Sequence, residues 1–361
     1  MNRSALIDGI KALASQLIVL HHLSLYAPMT DWIAAAWPRL VQFLIDDGRY
    51  AVQPFLVIGG FLTAQSLAKR RRQAPVPLIW QRYLRLVPQF LVALTLVVLA
   101  TGWLGPDLAQ EDWVSPLPTV GQFLAHLFFL HDLLGVPSLS AGAWYVAIDL
   151  QLFGLFAVLA ALAARSSADL ADSLVPPIVA LATVASIEVF SRQAALDIWA
   201  LYFLSAYGVG ALAGWSRGGG RAALCWWFVA AWLALDWLQD PRVRPVLALA
   251  TALALYAGSH IRWRSALGPV RRAVEHLSDV SYSVFVCHFA VIIVASGLWE
   301  RLDLGGLGQA WLWMALAWAT VILLGTAVQR ACDRWVRCSR MRCHWPRAPE
   351  ASAGRRAPSI D

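Results

Sequence analysis

Long apolar runs recur along the chain, separated by short polar stretches, and within each run the apolar residues are continuous rather than alternating. A helix needs about 20 such residues to cross about 30 Å of hydrocarbon, whereas a membrane-barrel strand alternates over about ten. The pattern predicts ten membrane-spanning helices over residues 5–26, 48–68, 83–104, 143–164, 173–190, 197–215, 222–239, 243–260, 279–299 and 308–330. The first run does not read as a cleaved signal peptide, because Lys11 interrupts it and no small-x-small site follows. No internal repeat is visible. The expected fold class is all-α, a polytopic membrane helix bundle, with residues 1–330 as the membrane domain and 331–361 as a basic tail that is a short helix and then disordered.

Composition agrees with lipid as the solvent: 59% of the 361 residues are hydrophobic and 14% are charged, against about 25% charged in a soluble domain. The net charge of +7 is explained by topology. Arg39, Arg49, Arg192, Arg242, Arg244 and Arg301 fall on one side of the ten spans and Lys11 inside a helix, while every other Lys and Arg falls on the side of the termini. The positive-inside rule then puts both termini in the cytoplasm. With the basic residues accounted for, nothing points to nucleic acid, and the Arg-rich tail is expected to touch anionic lipid.

Two outer loops are long, residues 27–47 and 105–142. The second holds an apolar stretch too short to cross, expected to lie in the interface or re-enter, and His126 and His131, expected as solvated loop groups. Cys332, Cys338, Cys343 and His344 near the C-terminus lack a C-x2-C pair, so no metal site is expected. Cys225 and Cys287 read as packing residues and imply no disulfide.

Ionisable residues inside spans carry the chemical signal, because each is costly in lipid without a partner or a water-filled cavity. Lys11 and His22 are eleven residues apart, three turns plus about 20°, so they share one helix face about 16 Å long. Asp8, one turn before Lys11, offers a bland charge pair, and His22 reads either as a bonded bundle residue or as a general base. His21, about 100° away, is expected to pack or cap. The segment AWYVAIDLQLF opens the fourth span with Trp144 and Tyr145 and sets Asp149 into the apolar run, where a carboxylate near a histidine can orient it. In WQRYLRLVP, Arg82 and Arg85 lie one turn apart at the basic end of the third span, beside Lys69, a surface suited to phosphate.

Taken in order, these segments resemble the acyltransferase-3 family of membrane O-acyltransferases. That family begins with D-G-x-R and a histidine eleven residues after the Arg; here DGIKALASQLIVLHH supplies Lys11 and His22. Its second-helix signature is matched by YAVQPFLVIGGF, with Gly59 where Ser is usual; its R-x-x-R by Arg82 and Arg85; its W-S-L-x-x-E by WYVAID, with Asp149 for Glu; and its late S-Y-x-x-Y-L-x-H by SYSVFVCH, with Tyr282 and His288. The resemblance implies an acyl-CoA donor, acetyl-CoA first, taken from the cytoplasm with no bound cofactor, and a glycan or lipid-linked sugar as acceptor at a bacterial inner membrane. It implies His22 as general base, Asp149 supporting it or the acceptor, Lys11, Arg82 and Arg85 holding the donor, and Trp144, Tyr145, Tyr282 and His288 around the acceptor or acyl group. A transporter or flippase of a glycan precursor is the alternative.

Overall fold

Each of the ten runs is helical in the computed structural model, which describes residues 4–70, 73–165, 168–263 and 268–342. In chain order the helices are α1 (Ala5–Tyr26), α2 (Met29–Ala36), α3 (Pro38–Asp46), α4 (Val52–Ala68), α5 (Pro75–Leu104), α6 (Val120–Leu127), α7 (Ala143–Ala163), α8 (Ala168–Glu188), α9 (Ala200–Ser216), α10 (Gly220–Gln239), α11 (Val243–Gly258), α12 (Gly268–Arg301) and α13 (Leu307–Arg342). Among the described residues there is no strand.

Eight helical segments are long and apolar enough to cross a membrane, while α9 and α11, at 17 and 16 residues, are shorter than the expected spans. Several helices outrun their apolar runs. α5 begins at Pro75, eight residues before the expected span, because proline at the first helical position has no N–H to lose and a preset φ. α13 continues beyond 330 to Arg342; Cys343, His344 and the rest of the tail lie outside the described residues. The loop 27–47 contains α2 and α3, and within 105–142 only α6 and a short turn are helical.

Connections that the charge pattern assigned to one side do meet. The Ala5 amide donates to the Ile261 carbonyl, and Arg217 donates to Ser259, joining connections on the side of the termini. On the other side Arg192 and Arg242 converge on buried Asp236, at 2.7 and 2.8 Å, and both reach Asp240, clasping the ends of α8, α10 and α11.

α12 is the centre of the bundle: 89% of its apolar window is buried, against 28% for α10 and α13, which present most of their surface outward. It packs on α1, α5 and α13, while α4 and α9 form the second tight pairing. That pairing depends on missing side chains, as close helix approach in membranes generally does. A Cβ on Gly60 would lie 1.9 Å from the Tyr207 carbonyl oxygen, and one on Gly210 2.1 Å from that of Val57. Gly60→Ala and Gly210→Ala are therefore expected to reduce the yield of monodisperse protein in detergent severalfold and lower its melting temperature, despite alanine's helix-propensity advantage of about 1 kcal/mol. Gly308→Ala, in exposed helix with nothing within 4 Å, is the control expected to be neutral or stabilising.

Candidate functional site

Among the described residues, two neighbouring cavities hold most of the residues singled out in the sequence. The larger, about 450 Å³, is lined by Lys11 of α1, Gly59 of α4, Arg82 and Arg85 of α5, Tyr145 and Asp149 of α7, and Tyr282 of α12. The smaller, about 330 Å³, is lined by His21 and His22 at the other end of α1, with Arg49, Asp132 and Asp197 from connections and Trp144 and Arg244 from the first turns of α7 and α11. Both are large enough to take a small molecule. Val52 and Phe285 line both, so these two side chains stand between the cavities. The face predicted along α1 is thus real: Lys11 opens on one cavity and His22 on the other.

Within the larger cavity the structure makes a pair that separate motifs did not announce. Arg82 donates through Nε and Nη2 to both oxygens of Asp149, at 2.7 to 3.0 Å, and its guanidinium lies 5.5 Å over the Phe153 ring. The Asp149 side chain is nearly buried, and a carboxylate there requires such a partner. Asp149 therefore spends its hydrogen-bonding capacity on Arg82 and sits in the cavity with Lys11, not in the one with His22 where an imidazole-orienting carboxylate was expected. The same contact commits the Arg82 guanidinium to Asp149; Lys11, Arg70 and Arg85 line the same cavity.

Gly59, where the resemblance expects Ser, has a direct packing reason. A Cβ there would come within 3.0 Å of the Tyr207 ring and 3.9 Å of Asp149 Oδ1. Tyr207 of α9 fills that space, its hydroxyl 2.7 Å from that of Thr63. No motif pointed to Tyr207; only the approach of α9 to α4 brings it in.

His22 is buried and stacks on His288, with ring centroids 4.7 Å apart and planes 21° from parallel, and on Tyr26 at 5.7 Å. His22 Nδ1 has no hydrogen-bond partner. His288 donates from Nδ1 to the Phe285 carbonyl, which fixes the tautomer and leaves a lone pair on its buried, unpartnered Nε2. Two imidazoles with unengaged nitrogens, held by packing beside a cavity, can accept and pass a proton. His21, by contrast, donates from Nδ1 to the Leu44 carbonyl at 2.8 Å and ties α1 to α3.

The remaining expected residues divide between the cavities. Trp144 lines the smaller one and stacks on Phe203 at 5.2 Å; Tyr145 lines the larger one and meets Phe285 edge-on at 5.2 Å. Tyr282 also lines the larger cavity, but its hydroxyl donates to the Leu86 carbonyl at 3.0 Å and holds α12 to α5. Asp8 accepts from Ser278 at 2.8 Å, a tie between α1 and α12.

His126 and His131 are not the solvated loop groups expected. Both are fully buried and stack at 4.1 Å. His126 donates from Nδ1 to the Gln122 carbonyl and accepts the Leu139 amide at Nε2, an arrangement that needs a neutral ring. Burial pushes both imidazoles down to about 4, from an ordinary value near 6.5. Between those values the unfolded segment binds more protons than the folded one, so its stability is complete above about pH 6.5 and is lost as the pH falls toward 4. The hydrogen-exchange protection factor of the Leu139 amide should fall across that window; a flat profile would show that the pair does not titrate with the segment's opening.

Eight helical segments long and apolar enough to span, enclosing a cavity lined by cations and a second lined by His22, make this a multi-pass membrane protein with polar cavities among its helices. The acyltransferase-3 family model, an acyltransferase domain, matches residues 5–328, and the chain belongs to that family: it is a membrane acyltransferase. No curated protein and no solved structure matches it.

Proposed function

We propose that the protein is an O-acyltransferase of the bacterial inner membrane, with both termini cytoplasmic, that moves an acetyl group from acetyl-CoA to a hydroxyl of an extracytoplasmic glycan or lipid-linked sugar. The observation that carries this reading is the pair of neighbouring cavities that share Val52 and Phe285, with Lys11 in one and His22 in the other. The donor's phosphates stay with Lys11, Arg70 and Arg85 at the basic end, and its extended arm carries the thioester toward Val52 and Phe285. Lys11 meets phosphate as a point charge, without the fork of an arginine.

In the transfer, His22 takes the proton from the acceptor hydroxyl as its oxygen attacks the thioester carbonyl carbon. The carbon–sulfur bond breaks, CoA leaves as the thiolate, and the imidazolium returns the proton to it. His288, stacked on His22, shares the positive charge's surroundings and holds the ring in place. Family membership supports acyl transfer, and the cations lining the larger cavity support a phosphate-bearing donor.

The test is transfer of radiolabelled acetyl from acetyl-CoA into a glycan or lipid fraction by inverted membrane vesicles containing the protein. Incorporation above vesicles lacking it is the expected result. Movement of an unmodified glycan precursor across the vesicle membrane with no incorporated label would replace this reading by the transporter.

A further inference from the structure

We propose that the acceptor carries an anionic group, a carboxylate or a phosphate, on or beside the acylated sugar, and that Arg49 and Arg244 hold it in the cavity containing His22. This deepens the acyl-transfer reading of the site and rests on it.

Four arginines stand on the face of the protein away from the termini near the ends of α4, α8 and α11, and they are used in two different ways. Arg192 and Arg242 are consumed by carboxylates, Asp236 and Asp240 between them. Arg49 and Arg244 make no ion pair among the described residues. Arg49 donates to the Tyr50 hydroxyl at 3.3 Å and its guanidinium lies 5.1 Å over that ring; Arg244 donates to the Tyr202 hydroxyl and lies 5.6 Å over that ring. A phenol and a π face orient a guanidinium without neutralising it, so each keeps unspent charge and N–H groups in a fork that matches a carboxylate or phosphate.

Both arginines line the same cavity as His22 although they come from distant segments, one just before α4 and the other in the first turn of α11. The carboxylates of Asp132 and Asp197 line it too and pair with neither arginine. Opposite charges left apart around one cavity divide the work of recognition. The arginines take an anion, the carboxylates accept hydroxyl hydrogens, and Trp144 offers apolar surface to a sugar ring. A neutral glycan offers the arginines only hydroxyl oxygens, whereas an acidic sugar or a sugar phosphate offers a charged acceptor that their forks match.

The experiment uses the full-length protein in membrane vesicles with radiolabelled acetyl-CoA, followed by anion-exchange chromatography of the labelled product. Retention of the label on the column is expected. Its release after amidation of carboxylates with carbodiimide and ethanolamine identifies a carboxylate, and its release after phosphatase or mild acid identifies a phosphate. Arg49→Gln and Arg244→Gln should each raise the amount of extracted glycan needed for half-maximal labelling at least tenfold, while binding of acetyl-CoA stays within twofold. Label in the unretained fraction, or variants with unchanged glycan dependence, would overturn the proposal while leaving acyl transfer standing. Absence of label from the wild type would remove the acyl-transfer reading itself, and this one with it.

Discussion

Arg82→Ala is expected to destabilise the protein by about 3–5 kcal/mol, because it leaves Asp149 charged or forced to protonate in a nearly buried position. The value should fall toward the lower end, since a quarter of the Arg82 side chain is exposed while only 6% of Asp149 is. Asp149→Ala removes the other half and strands a guanidinium among α4, α5, α7 and α9, with a similar cost. The double variant Arg82→Met with Asp149→Leu should be more stable than either, because it removes both desolvation penalties and leaves apolar groups of comparable volume. Unfolding in detergent of the wild type, Arg82→Met, Asp149→Leu and the double variant measures the coupling directly. If the double variant is as unstable as the sum of the single ones, the pair is not energetically coupled and the bidentate contact is incidental. Arg82→Lys separates charge from shape. It retains a cation but cannot reach both carboxylate oxygens, so it should recover part of the stability.

His22→Ala is expected to lower acetyl transfer by about 10²–10⁴-fold, the range that a positioned general base contributes. Donor binding should change little, because Lys11, Arg70 and Arg85, which hold the donor in this reading, line the other cavity. The loss should appear in kcat rather than in the acetyl-CoA dependence. His288→Ala should have a smaller effect, since its loss removes the stacking partner but not the base, and His22 still packs against Tyr26. His21→Ala tests the assignment from the other side: its Nδ1 is already engaged with Leu44, so it should cost stability of the α1–α3 junction more than turnover. Equal transfer by wild type and His22→Ala at matched expression would take His22 out of the chemistry and leave Asp149 or His288 to be tried.

Much of the architecture was legible because lipid imposes a one-dimensional rule: a spanning segment must be apolar for its whole length and must satisfy its backbone internally. All ten runs are helical, and the sorting of connections by side agrees with the contacts Ala5–Ile261 and Arg217–Ser259 on one face and Arg192–Asp240 on the other. Helix ends were less legible, because hydropathy marks where lipid is and not where backbone hydrogen bonds stop; α5, α12 and α13 all continue into polar sequence. In the long outer segment the polarity of His126 and His131 suggested water, yet His126 satisfies both ring nitrogens against backbone, His131 stacks on it, and the folded segment hides them both.

The sequence by itself determined the class of protein, the helices, the grouping of their ends, the shared face of Lys11 and His22, and the resemblance that the family match to residues 5–328 bears out. These depend on periodicity and local order, which a linear chain displays. Only the tertiary structure decided that Asp149 answers to Arg82 instead of His22, that His288 stacks on His22, that Tyr207 occupies the space beside Gly59, and that Arg49 and Arg244 share one cavity. Each of these joins residues from separate helices or connections. Their distances are set by how closely helix backbones approach, and that approach depends on the small residues and the packing of many side chains together rather than on any local stretch of sequence.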